Sequence, residues 1–305
     1  MSGGAGLDNV WAELTRRQLS CGGWAALASA SQASLEATCL AALAIGSHDS
    51  DGERRGHDFL LRVQNLNGSW PAFVGDDPNG SWVTSLAVIA LREVVAAIPS
   101  MLSGTHWLMT CQGRESNWFW KWKFRTADRH VRFDPDKSGW PWIPDTLSWV
   151  VPTAFAILAL SPVRCSCGSL KQIDARIDCG IEMLIDRACP GGGWSAGNGV
   201  VYESALAPHP DDTAIALLAL CNRTKEPVVQ TSVDWLQHTA STLTAPWSLA
   251  WTILALAAHG RTVASLSTSL VGLPDLSGND DTSTLALVCL ATDCPRAFAA
   301  LGASL

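Results

Sequence analysis

One pattern recurs along the chain and narrows what it can fold into: a small or polar residue, then seven mostly apolar residues ending in Leu or Ile. It starts at Thr38 (TCLAALAI), Thr84 (TSLAVIAL), Thr153 (TAFAILAL) and Thr213 (TAIALLAL), with weaker copies at Leu249 (LAWTILAL) and Ser283 (STLALVCL). Ala and Leu are strong helix formers, and a helix apolar all round must be surrounded by protein on most sides. Between the copies lie more polar stretches, 7–18, 53–64, 99–111, 171–187, 228–237 and 262–270. Their apolar residues fall at three- and four-residue spacing, as in Phe59, Leu60 and Val63, which predicts amphipathic helices covering the apolar ones. The expectation is an all-α chain, one domain over 1–305. It would be an (α/α)6 toroid of six helical hairpins, with an apolar inner ring inside an amphipathic outer ring.

Composition agrees and removes other classes. Apolar residues make up 48% of the 305 and charged ones 16%, so a large core is expected. A net charge of −7 speaks against nucleic acid as a partner. Cys39, Cys221 and Cys289 sit inside apolar runs as buried thiols, so the ten Cys do not read as a disulfide framework. The first residues show no basic region followed by an apolar one, so no signal peptide is expected. The apolar run 149–160 contains Pro152 and is too short to span a bilayer. These features predict a soluble, reduced, cytoplasmic protein, with a peripheral membrane contact and a homodimer left open.

Fifteen Trp against one Tyr call for a specific account. Gln18 is followed by Gly22-Gly23-Trp24, and Gln64 by Gly68-Ser69-Trp70; Gly139-Trp140 and Gly193-Trp194 repeat the second half. Gly allows a tight exit from a helix, Trp can lie over neighbouring helix ends, and the Gln amide can satisfy free backbone groups. Trp24 and Trp70 are therefore read as fasteners. This arrangement resembles the QW repeats of the squalene–hopene cyclases and their class II terpene-cyclase relatives, over nearly the whole chain. The last two hairpins depart from it, since Pro246-Trp247 lacks the Gly and the sixth has no Trp.

Two outer-to-inner connections, 112–148 and 189–210, are long enough to be functional insertions at one mouth of the ring. The first interleaves Arg114, Lys121, Lys123, Arg125, Arg129 and Arg132 with Trp118, Phe119, Trp120, Trp122 and Phe124. It reads either as a lid offering cation–π faces and phosphate ligands or as an insertion whose aromatics pack on the ring. Trp118, Trp120, Trp122, Phe124, Arg125 and Arg132 are candidate substrate-binding residues. Trp142, Trp149, Trp194 and Tyr202 join them. Asp134-Pro135-Asp136-Lys137 and Asp76-Asp77-Pro78-Asn79-Gly80 read as turns.

The second insertion ends in His209-Pro210-Asp211-Asp212-Thr213-Ala214, which resembles the D-x-D-D-T-A acid motif of class II terpene cyclases. The resemblance implies protonation-initiated cyclisation of an isoprenoid, with Asp211 as the acid, Asp212 beside it and His209 where the first Asp would be. Residue by residue the alternative is a helix cap, supplied by Asp211 or Asp212 and matched by Asn279-Asp280-Asp281-Thr282. No cofactor is expected, although Mg would accompany a diphosphate substrate. The partner is an isoprenoid or another apolar small molecule. Other readings remain: a catalytically inactive toroid binding an isoprenoid, lipid or protein; a prenyltransferase β-subunit-like protein; and a six-hairpin glycosidase using Glu203, Asp211 and Asp212. Zinc is disfavoured because Thr213 stands where the prenyltransferase Cys would be and Cys165-Ser166-Cys167 is too tightly spaced.

Overall fold

The computed structural model describes residues 3–127, 132–166, 171–293, 295 and 298. Its helices are α1 (Gly3–Arg16), α2 (Leu35–Ile45), α3 (Ser50–Arg62), α4 (Val83–Leu91), α5 (Ile98–Thr110), α6 (Trp118–Thr126) and α7 (Val150–Ser166). They continue as α8 (Lys171–Asp186), α9 (Pro210–Ala219), α10 (Pro227–Ala240), α11 (Pro246–Ala258), α12 (Ala264–Val271) and α13 (Thr282–Asp293). The six apolar runs fall in α2, α4, α7, α9, α11 and α13. These touch in cyclic order, each on the next and α13 back on α2. Cyclic contact follows from the sequence: every residue of α4 is buried, so it needs helices on both flanks. The second layer covers them, with α1 on α13 and α2, α3 on α2, α5 on α4, α8 on α7, α10 on α9 and α11, and α12 on α11.

Two small hairpins interrupt the helices, β1 (Trp24–Ala25) with β2 (Ala33–Ser34), and β3 (Val200–Val201) with β4 (Ser204–Ala205). The sequence pattern did not predict them, because two-residue strands are too short to show alternation. The turn of the second carries Tyr202 and Glu203 at φ of 49° and 62°, as a two-residue hairpin turn of the right twist requires.

Four junctions are built alike. The indoles of Trp24, Trp70, Trp140 and Trp194 donate to the carbonyls of Leu14, Leu60, Leu108 and Leu184 at 2.7–2.8 Å. Their backbone N–H groups donate at 2.9 Å to the hydroxyls of Thr38, Thr84, Thr153 and Thr213, the residues that open the apolar runs. Each Trp thus ties the end of one outer helix to the start of its inner partner. The Gln amides close the other side. Gln18 Nε2 donates to the carbonyls of Gly22 and Gly52, and Gln64 Nε2 to those of Gly68 and Ser100, bridging a turn to the next outer helix. At the third junction Arg176 takes that place, donating to the carbonyls of Ser138, Gly139 and Cys111 with its guanidinium 3.4 Å over the Trp140 ring. Room for the first three rings comes from Gly56, Gly104 and Gly180, where a Cβ would stand 2.7–2.9 Å from Trp24, Trp70 and Trp140.

The first long connection carries α6 and is tied at its root by a buried ion pair. Arg187 lies 3.0 Å from Glu115, while Glu115 also accepts from Ser148 N–H and Arg187 donates to Ser148 O. Burial pushes the Arg187 guanidinium below its usual range, against the pull of Glu115. No helix among the described residues is long and apolar enough to cross a membrane.

Candidate active site

The first turns of the inner helices surround a cavity of about 300 Å3. Counting each apolar run from its first residue, the residues two places earlier are Glu36, Trp82, Val151, Asp211, Trp247 and Asp281, and all except Asp281 line this cavity. One helical turn deeper stand Leu40, Leu86, Phe155, Ile215, Trp251 and Leu285, of which all but Leu285 line it. The cavity therefore has a mouth ring of carboxylates and aromatics above an entirely apolar ring. A second cavity of about 280 Å3 adjoins it through Glu36, Trp82 and Trp247 and reaches Asp281.

Aromatic contacts run round the walls. Trp82 meets Trp142 edge-on at 5.2 Å and Phe155 at 5.5 Å; Trp251 joins Phe155 at 5.7 Å and Trp247 at 5.8 Å. From the far side, fully buried Phe298 packs on Trp251 at 5.5 Å. Among the described residues the buried Trp251 indole N–H has no hydrogen-bond partner.

In the cyclic order α2 and α9 are three places apart, which sets Glu36 opposite Asp211, while Asp281 on α13 is the neighbour of Glu36. Burial pushes the Glu36 carboxyl up to about 7, and the charge of Asp281 adds to it. Asp212 is also pushed up by burial, against the hydrogen bond and charge of His209, whose Nδ1 lies 2.9 Å from its Oδ2. His209 is the N-cap of α9, but its ring bonds Asp212 and not the helix backbone. Asp281 does cap: its Oδ1 accepts from Ser283 N–H and its Oδ2 from the Thr284 hydroxyl. The two acidic helix entries therefore differ in kind.

Of the residues singled out from the sequence, Asp211, Asp212 and Trp142 line the cavity, with His209 on its rim. Trp194 lies elsewhere, fully buried in the fourth junction. Trp118 and Trp122 are exposed on α6, and Trp120 lies between Arg114 and Lys123, whose charged groups stand 5.2 and 4.6 Å from its ring. Phe124 packs on Phe133 at 5.0 Å, and Arg125 and Lys121 both pair with Asp136. Trp149 and Tyr202 are exposed, and Arg132 is exposed with its backbone N–H on Val200 O. None of these lines the cavity, nor, among the described residues, does any Lys or Arg line either one. Arg129, Cys167 and the side chain of Cys165 fall outside the described residues. Among the described residues no three His, Cys, Asp or Glu side chains cluster to hold a metal.

Sequence reasoning passed over Glu36, Trp82, Trp247 and Trp251. The signal was present: aligning the six runs on their first residue puts Glu36 in the register of Asp211.

No protein-family model matches the sequence, and no curated protein matches it. Solved structures do match. The type II terpene cyclase MstE from Scytonema, in complex with its product merosterolic acid A, has a TM-score of 0.60 at 13% identity over 98% of this chain and 97% of that one. Its complex with the substrate geranylgeranyl dihydroxybenzoate gives 0.59 at 12% identity over 99% and 98%. An alpha-amylase from Clostridium perfringens gives 0.61 at 8% identity over 94% and 97%. At these identities the likeness establishes the fold alone: this chain has the helical fold of the type II terpene cyclase MstE.

Proposed function

We propose that this chain is a single (α/α)6 toroid acting as a terpene cyclase-like protein, taking an isoprenoid tail into the central cavity and starting its cyclisation by protonation. The observation that carries this reading is the cavity itself, an apolar ring faced with indoles beneath a mouth ring of carboxyl groups. Apolar walls accept a hydrocarbon chain, and aromatic faces stabilise the carbocations that protonation creates. A protonating carboxyl must be neutral in a dry site, and burial supplies that here. The resemblance of the His209–Thr213 segment to the class II acid motif supports the same chemistry.

Cavity size favours a short isoprenoid, since about 300 Å3 is at the small end of ligand sites. With no Lys or Arg among the described lining residues, an uncharged or aryl head suits the mouth better than a diphosphate. The fold also carries an alpha-amylase. A sugar, however, needs polar side chains along its length, and the deeper ring offers none.

The test is incubation of the pure protein with geranyl, farnesyl and geranylgeranyl diphosphates, with and without Mg, with geranylgeranyl dihydroxybenzoate and with a malto-oligosaccharide. The expected result is a cyclic isomer of one prenyl compound, seen by mass spectrometry, and untouched sugar. No isomer and no quenching of tryptophan fluorescence by any prenyl compound would remove the proposal.

A further inference from the structure

We infer that Glu36 on α2, and not either aspartate of α9, delivers the proton that starts the reaction; this rests on the cyclase reading above and names its donor. Glu36 holds in the first hairpin the register that Asp211 holds in the fourth, two residues before the Thr that accepts the junction Trp N–H. Among the described carboxyl groups it alone lines both cavities, between Trp82 on one neighbouring helix and Asp281 on the other. Among the described residues its carboxyl makes no hydrogen bond or ion pair, and it faces the cavity.

The aspartates of α9 are placed differently. Asp212 is bonded to His209, a mostly exposed ring that can carry a positive charge and would then hold the carboxylate ionised. Asp211 is one methylene shorter than Glu36 and follows Pro210 in the first turn of the helix, beside that pair.

The charges around Glu36 all favour its neutral form or lie tied elsewhere. From the α13 entry come Asp281 and Asp280, the latter bonded to Ala28 N–H. From α1 comes Arg17, held by Glu13 and by the carbonyls of Asp280 and Asn279. From across the cavity come Asp211 and Asp212 with His209. The linings contributed by α4 and α11 bring Trp82 and Trp247 and no charge. The N-terminal dipole of α2 pulls toward the anion, and burial together with Asp281 outweighs it. The carboxyl accordingly stays protonated up to about 7.

The step balances without a co-reactant. The Glu36 O–H bond breaks as its proton adds to one carbon of a substrate alkene, whose π pair forms the new C–H bond and leaves a cation on the other carbon. The next alkene donates its π pair to that cation, closing a ring and moving the charge along. The last cation loses a proton to water, regenerating an alkene, and Glu36 regains a proton from solvent. The product is an isomer of the substrate.

The experiment uses the full chain and whichever prenyl compound it turns over, comparing Glu36→Gln, Glu36→Asp, Asp211→Asn and Asp212→Asn. Circular dichroism checks the fold and tryptophan quenching gives Kd. Glu36→Gln should lower kcat about a thousandfold, the scale of a lost general acid, with Kd within about threefold. Glu36→Asp should retain some turnover, and kcat of the unaltered protein should fall as pH rises through about 7. Asp211→Asn should lose about tenfold at most. Turnover that survives Glu36→Gln overturns the donor role alone, as does a thousandfold loss confined to Asp211→Asn. Absence of turnover by the unaltered protein overturns the cyclase reading, and the donor role falls with it.

Discussion

The tryptophans of this chain form two populations. Trp24, Trp70, Trp140 and Trp194 are fully buried, each with its indole N–H on a helix carbonyl and its backbone N–H on a Thr hydroxyl. Trp82, Trp142 and Trp247 are half-buried around the cavity, and among the described residues buried Trp251 lacks a partner for its N–H. The first set has every polar group satisfied within the fold. The second leaves aromatic surface for something else to cover. The first set holds the ring together, and the second lines the cavity proposed to bind.

The strongest way to break this division is Trp70→Ala set beside Trp247→Ala. Removing Trp70 leaves a large void and strands the Leu60 carbonyl, while the backbone N–H to the Thr84 hydroxyl remains. Urea denaturation should show a loss of about 3–5 kcal/mol. Trp247 is half-buried and lines both cavities, and its loss should cost under about 1.5 kcal/mol while weakening prenyl binding by about tenfold. Equal stability losses at the two sites would end the distinction.

The carboxyl beside the binding set should also be visible in stability. In the unfolded chain Glu36 titrates near 4.5, and in the folded protein near 7. Below the lower value it is protonated in both states and contributes nothing. Between the two, only the unfolded chain releases the proton, so the folded state binds more protons and stability falls as pH rises; above about 7 the loss is complete. Discounted for partial exposure, the loss is about 2–3 kcal/mol. Glu36→Gln should flatten that part of the denaturation profile. An unchanged slope would mean that Glu36 is solvated.

A smaller effect tests the junctions from the other side. Gly104→Ala gains about 1 kcal/mol in helix propensity, but its Cβ would stand 2.8 Å from the Trp70 ring and 2.9 Å from Val88. The net loss expected is about 1–3 kcal/mol. In the background of Trp70→Phe, whose smaller ring leaves room, the same change should become neutral or stabilising.

The division was partly legible in the sequence. The Gln-x3-Gly-x-Trp pattern at Gly22-Gly23-Trp24 and Gly68-Ser69-Trp70 marked two of the four fasteners, because a Gly entering a tight turn beside a Trp suits a helix exit. The helices were legible because the apolar runs are rich in Ala and Leu and alternate with stretches of helical periodicity. Trp194 shows the limit: it shares the Gly-Trp signal but lies in the second insertion, and position in a loop was taken over local pattern. Glu36 was missed because no motif contains it. Its place depends on a register shared with Asp211, and a resemblance that covers the fourth copy alone gives no reason to look at the first. Burial and the charge of Asp281, which make it unusual, arise only when α13 closes on α2.

The insertion helix α6 supplies the finest test of what the binding set includes. Its aromatics and cations suggested a lid, yet Lys121 and Arg125 are both engaged with Asp136, and none of its residues lines the cavity. Exposed pairs of this kind contribute about 0–1 kcal/mol, so Arg125→Gln should leave stability within about 0.5 kcal/mol. Prenyl affinity is the sharper measurement. If the cavity alone binds, Arg125→Gln and Lys121→Gln should leave Kd unchanged, and added salt should do the same, because no cation of the protein meets the ligand. A tenfold loss in either variant, or an affinity that falls with salt, would place a charged head group under α6. The boundary between fold and function would then have to be drawn around the insertion as well as around the ring.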